Sequence, residues 1–69
     1  MNNSKFSDFG LCVKTALLRN GKEQRWLEEA VSKKTGLFVD SSYMYKILTG
    51  RRNAPRIVAA IREILDLKE

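Results

Sequence analysis

A chain of 69 residues has the size of one domain, close to the lower limit at which a hydrophobic core holds a fold without disulfides or metal. At that length no room is expected for a separate catalytic domain, and the 43% apolar content suffices for a core and is too high for a disordered basic tail. The net charge of +5 resides in residues 33–56, where Lys33, Lys34, Lys46, Arg51, Arg52 and Arg56 are opposed only by Asp40, as expected of a footprint on a polyanion.

Cys12 is the single cysteine, so no internal disulfide can form, and without histidine there is no zinc site of the usual ligand types. Neither a metal nor another cofactor is expected. Cys12 falls inside an apolar helical pattern and reads as a small core or partly buried residue. The apolar runs are too short for a membrane span, and the start MNNSKFSD lacks a signal peptide's charged-then-apolar layout, so a cytoplasmic protein is expected. Cys12 has no neighbouring base, the carboxylates are scattered and no glycine-rich phosphate loop occurs, which argues against an enzyme and against a small-molecule substrate.

The first helix is expected from Phe6, Phe9, Val13, Ala16 and Leu17, which recur at steps of three and four, with Ser7 or Asp8 as cap. Arg19, Asn20 and Gly21 supply its stop, near Asn20. A second helix is marked by Trp26, Leu27, Ala30 and Val31, with Glu23, Glu28 and Glu29 early and Lys33 and Lys34 late, a polarity that suits the helix dipole. Thr35 and Gly36 end it. Leu37, Phe38 and Val39 then read as a short extended piece or as apolar plugs in a long turn; a strand has no second β-rich run to pair with.

Asp40 or Ser41 can cap a third helix over about 41–49, with Met44, Ile47 and Leu48 inward and Ser41, Ser42, Tyr45, Lys46 and Thr49 outward or flanking. Gly50 stops it. Pro55 fits the first turn of a fourth helix capped by Asn53 or Ala54, whose buried face is Ile57, Val58, Ala60, Ile61, Ile64 and Leu65. Residues 1–6 and 67–69 are expected to fray. The fold class is all-α, a compact bundle of four helices with room for a short fifth turn, in one domain over 1–69.

A helix fits the major groove of B-DNA and reads bases through side chains near its N-terminus. The third helix is suited to such reading, because Ser41 and Ser42 are short and let the backbone approach base edges, while Tyr45 and Lys46 reach further one turn later. Ser41 serves equally well as a cap, and Lys46 as a solvated lysine. Arg51, Arg52 and Asn53 follow the helix-ending glycine, where an exposed turn with free backbone N–H groups can lie along a DNA strand. Thr49 joins these phosphate contacts, as does Gln24 at the start of the second helix, where the dipole helps.

These segments resemble the small phage repressor and Cro-like helix-turn-helix regulators, the Xre or lambda-repressor-like group. Residues Gly21 to Leu27 look like the family's first turn and second helix, with Gln24 at its phosphate-contacting glutamine and Leu27 at its core leucine. Ser41 to Pro55 resemble its recognition helix and exit, including the isoleucine and glycine three apart and the basic-Asn-x-Pro sequence, and the likeness covers about residues 8–67. Two departures stand out. Glu28 occupies the place of a small residue after the leucine, and the family's short turn is replaced by TGLFVD, which implies an enlarged turn held by Leu37, Phe38 or Val39 over the core.

The resemblance implies a lambda-repressor-like fold and a sequence-specific regulator of transcription, carried by a prophage or mobile element and bound to double-stranded DNA at a palindromic operator. A homodimer would have to use the fourth helix, the tail or the N-terminal arm. Two rival readings remain. One is a helical adaptor or antirepressor that docks a protein through Trp26, Phe38, Tyr43 and Tyr45; the other is a nonspecific architectural or excision protein, which would need evenly spread charge or an apolar wedge.

Overall fold

The computed structural model describes residues 5–67. Helix α1 spans Asp8–Arg19, α2 Gln24–Thr35, α3 Ser41–Leu48 and α4 Pro55–Leu65, and no strand occurs among the described residues. The domain is thus all-α with four helices, and none among the described residues is long and apolar enough to cross a membrane.

Each helix begins and ends for a local reason. Ser7 is the cap of α1: its Oγ accepts from the Gly10 N–H at 3.1 Å. At the other end Asn20 closes the helix and Gly21, at φ +64°, lets the Lys22 N–H return to the Leu17 carbonyl at 2.9 Å. Helix α2 starts from Glu23 without a side-chain cap and stops at Gly36, in the left-handed region at φ +74°. Asp40 caps α3 by accepting from the Tyr43 N–H at 2.8 Å. Pro55 opens α4 after Ala54, where a missing N–H removes no helical bond.

The core is shared by all four helices. Val13 and Leu17 from α1, Leu27 and Val31 from α2, Met44, Ile47 and Leu48 from α3, and Ile57, Ala60 and Ile61 from α4 are buried, together with Ala54 and Val39. Burial of each large side chain in this set contributes roughly 1.5–3 kcal/mol. Helix α4 packs chiefly on α2, and α1 bridges α3 and α4. An exposed ion pair, Lys34 Nζ to Glu63 Oε1 at 2.9 Å, spans the α2–α4 seam. Surface pairs of this kind contribute at most about 1 kcal/mol.

Two packing details differ from the sequence pattern. The buried stripe of α2 is Leu27, Glu28 and Val31, so Trp26 and Ala30 lie on its flank; Trp26 keeps 37% of its surface exposed, with the Lys22 ammonium 5.1 Å from its ring centre. Helical spacing explains the shift, since positions 27, 28 and 31 share a face that Trp26 borders. On α4, Ile57, Ala60 and Ile61 are buried while Val58, Ile64 and Leu65 are only partly covered. Of the ends expected to fray, Phe6 and Leu67 instead pack against the core, and the Leu67 N–H donates to the Arg62 carbonyl at 2.9 Å. Residues 1–4, 68 and 69 lie outside the described residues.

The enlarged turn between α2 and α3 is held by one plug. Val39 is buried, whereas Leu37 and Phe38 are exposed, Phe38 to 83%. Side-chain hydrogen bonds fix the rest: the Val39 N–H donates to Ser32 Oγ at 3.2 Å, and the Leu37 N–H to Thr35 Oγ at 3.1 Å. The turn is therefore tied back to the last two turns of α2.

Candidate nucleic-acid interface

With Met44, Ile47 and Leu48 committed to the core, α3 must present its other side to solvent. Ser41, Ser42, Tyr45 and Lys46, the four expected base readers, are all exposed there. Ser42, Tyr45, Lys46 and Thr49 follow at steps of three, four and seven and line up along one face. The Asp40 cap satisfies the Tyr43 N–H, so this face begins at an ordered helix end.

Tyr45 is not a free arm. Its ring meets the edge of Phe6 at a centroid distance of 6.0 Å and an interplanar angle of 75°, and the Lys14 ammonium lies 5.4 Å from the Phe6 ring centre. Phe6 in turn is fixed by its neighbour Ser7, which donates to the Leu48 carbonyl through both its N–H, at 3.0 Å, and its Oγ, at 3.1 Å. The segment before α1 thereby supports Tyr45, one of the side chains expected to read bases, on α3.

The basic turn after α3 keeps Arg51, Arg52 and Asn53 exposed, as a run of phosphate contacts requires. Its backbone does not have the freedom expected of it. The N–H groups of Arg51 and Arg52 both donate to the Lys46 carbonyl, at 2.9 and 3.2 Å, because the last carbonyls of a helix lack intrahelical partners and the chain, reversing at Gly50 with φ +79°, brings these two donors back to one of them. The two arginines therefore present their side chains, and not their N–H groups, to solvent. The Arg52 guanidinium also lies over the Tyr43 ring, 5.2 Å from its centre, which orders one of those side chains. The Thr49 hydroxyl donates to the Tyr45 carbonyl at 2.9 Å, so its proton is used inside the helix.

Gln24 stands at the first position of α2, half-buried and tied at both ends of its amide. Its Oε1 accepts from Lys14 Nζ at 2.8 Å, and its Nε2 donates to Glu28 Oε2 at 2.8 Å. Glu28 itself is only 8% exposed, the one buried charged side chain among the described residues. A second amide hydrogen of Gln24 is left to offer an acceptor. Lys14 contacts both Gln24 and Phe6, so it joins the N-terminus of α2 to the side of α3 that carries Tyr45.

No family model, curated protein or solved structure matches the chain. A functional reading therefore rests on the chain's own residues. Sequence reasoning missed Gly10, Ser7 as a link to α3, Lys14 and Phe6. Gly10 had a legible signal: a glycine inside a helical pattern costs about 1 kcal/mol against alanine and so calls for a packing reason. The Lys14 and Phe6 contacts join residues of different elements, and no local pattern announces them.

Proposed function

We propose that this chain is a sequence-specific double-stranded DNA-binding regulator of transcription, of the phage or mobile-element repressor type, acting with α3 in the major groove. The observation that carries the reading is the outward face of α3, where Ser41, Ser42, Tyr45 and Lys46 are exposed on a capped helix followed at once by the exposed side chains of Arg51 and Arg52. Short polar groups near a helix N-terminus suit base edges, and a cationic turn at its far end suits the flanking phosphates. The likeness of Ser41 to Pro55 to the lambda-repressor-like recognition helix supports the same reading and suggests a palindromic operator bound by a homodimer in the cytoplasm.

Selection from a random duplex library, followed by titration of the selected duplex at several salt concentrations, tests this. The expected result is a preference for one sequence over random DNA, with affinity falling steeply as salt rises. Equal binding to all duplexes, or none at physiological salt, sinks the proposal.

A second reading, a helical adaptor that docks another protein, is favoured by the exposure of Leu18 (81%), Phe38 and Trp26. Its affinity for a partner would change little with salt, because apolar contacts are not screened. Salt dependence therefore separates the two.

A further inference from the structure

Phe38 is the most exposed large apolar side chain among the described residues, and its setting is ordered. Gly36 turns the chain out of α2 at φ +74°, Thr35 Oγ and Ser32 Oγ hold the N–H groups of Leu37 and Val39, and Val39 is sunk in the core. Val39 alone of the turn's three apolar residues is buried, and Phe38 beside it keeps 83% of its surface exposed. Ser41 follows Phe38 by three Cα-to-Cα steps, which limits their Cα atoms to about 11 Å apart. Three consecutive base-pair steps span about 10 Å along the duplex axis. Folding gains nothing from an aromatic ring left in water, and the hydrogen bonds on Leu37 and Val39 already order the backbone that carries it, which lowers the cost of using it in a contact.

Resting on the DNA-binding reading above, we infer that Phe38 is a specificity-determining residue that packs its ring against the C5-methyl group of a thymine in the major groove, just beyond the N-terminus of α3. The methyl group is the apolar mark that the major groove displays, and aromatic contact with it discriminates thymine without a hydrogen bond. The turn before α3 thus extends the reading surface by one base beyond the span of Ser41, Ser42, Tyr45 and Lys46. Charge favours DNA as the occupant, because the neighbouring stretch from Lys33 to Arg56 carries the chain's positive excess.

The test uses the full chain and its selected duplex, with each thymine replaced in turn by deoxyuridine, which removes only the methyl group. Wild type should lose about fourfold in affinity at one thymine per half-site, the effect of one apolar carbon withdrawn from contact. Phe38→Ala should bind the thymine and deoxyuridine duplexes alike there while keeping the wild-type melting temperature, and Phe38→Leu should retain part of the discrimination. A selected duplex with no thymine in its half-sites, or a substitution series in which wild type and Phe38→Ala respond identically, overturns the inference and leaves DNA recognition by α3 standing. Absence of any sequence preference in the wild type overturns both. If Phe38→Ala changes sedimentation from dimer to monomer and has no effect on thymine discrimination, the ring belongs to a protein contact and the inference is wrong.

Discussion

The backbone of Gly10 in α1 lies directly against the carbonyl of Leu48 at the end of α3, so closely that a Cβ on Gly10 would collide with the Leu48 oxygen and stand 2.9 Å from its carbonyl carbon. The same oxygen accepts both hydrogen bonds from Ser7. One carbonyl thus fixes the start of α1 to the end of the helix proposed to read DNA, and it does so only because position 10 has no side chain.

Gly10→Ala is expected to lower stability by about 1–3 kcal/mol, since the obstacle is backbone and cannot rotate away. Alanine's better helix propensity returns at most about 1 kcal/mol of that. Thermal unfolding should show a drop of several degrees; an unchanged or raised melting temperature would mean that α1 and α3 separate without cost.

Gly36 presents the opposite case, because nothing lies within 4 Å of a Cβ placed there and only its left-handed φ resists substitution. Gly36→Ala should destabilise by roughly 1–2 kcal/mol. Gly36→Asn should lose clearly less, as asparagine tolerates this conformation. Equal losses for the two variants in urea unfolding would contradict a purely conformational role.

The Gln24–Glu28 hydrogen bond is buried enough for its loss to be felt. Gln24→Ala should cost about 1–3 kcal/mol by leaving the Glu28 carboxylate without that donor. In a double-mutant cycle with Glu28→Ala the two effects should be less than additive by about 0.5–1.5 kcal/mol. A phosphate role for Gln24 adds a second signature: Gln24→Ala should weaken DNA binding more than Glu28→Ala does at matched stability.

Arg52→Ala and Ser42→Ala should separate affinity from specificity. Removing a phosphate contact at Arg52 is expected to weaken all duplexes alike and to lower the salt slope by about one unit, whereas Ser42→Ala should relax preference at one or two base positions. Arg52→Lys keeps the charge and loses the planar stacking on Tyr43, so an intermediate effect is expected. Quantitative shift assays at three salt concentrations would reveal any exchange of these roles, which would count against the assignment of turn and helix.

The sequence by itself determined the four helices and most of the buried face, and it narrowed the N-caps of α1, α3 and α4 to two residues each. These depend on neighbours a few residues apart: Ser7 and Gly10, Asp40 and Tyr43, the left-handed Gly21, Gly36 and Gly50, and the three-and-four spacing of Val13 and Leu17 or Ile57 and Ile61. Charge concentration and the outward position of Ser41, Ser42, Tyr45 and Lys46 were legible for the same reason, since a helix that buries Met44, Ile47 and Leu48 has one remaining face. Tertiary structure alone decided what depends on the meeting of distant segments. It selected Val39 from three apolar turn residues and left Phe38 in solvent, buried Glu28 beside Gln24 and Lys14, set Phe6 against Tyr45, and turned the N–H groups of Arg51 and Arg52 back onto α3. Periodicity states which face of an element is apolar; close packing and hydrogen-bond satisfaction between elements determine which individual side chains fill the space and which are left to meet a partner.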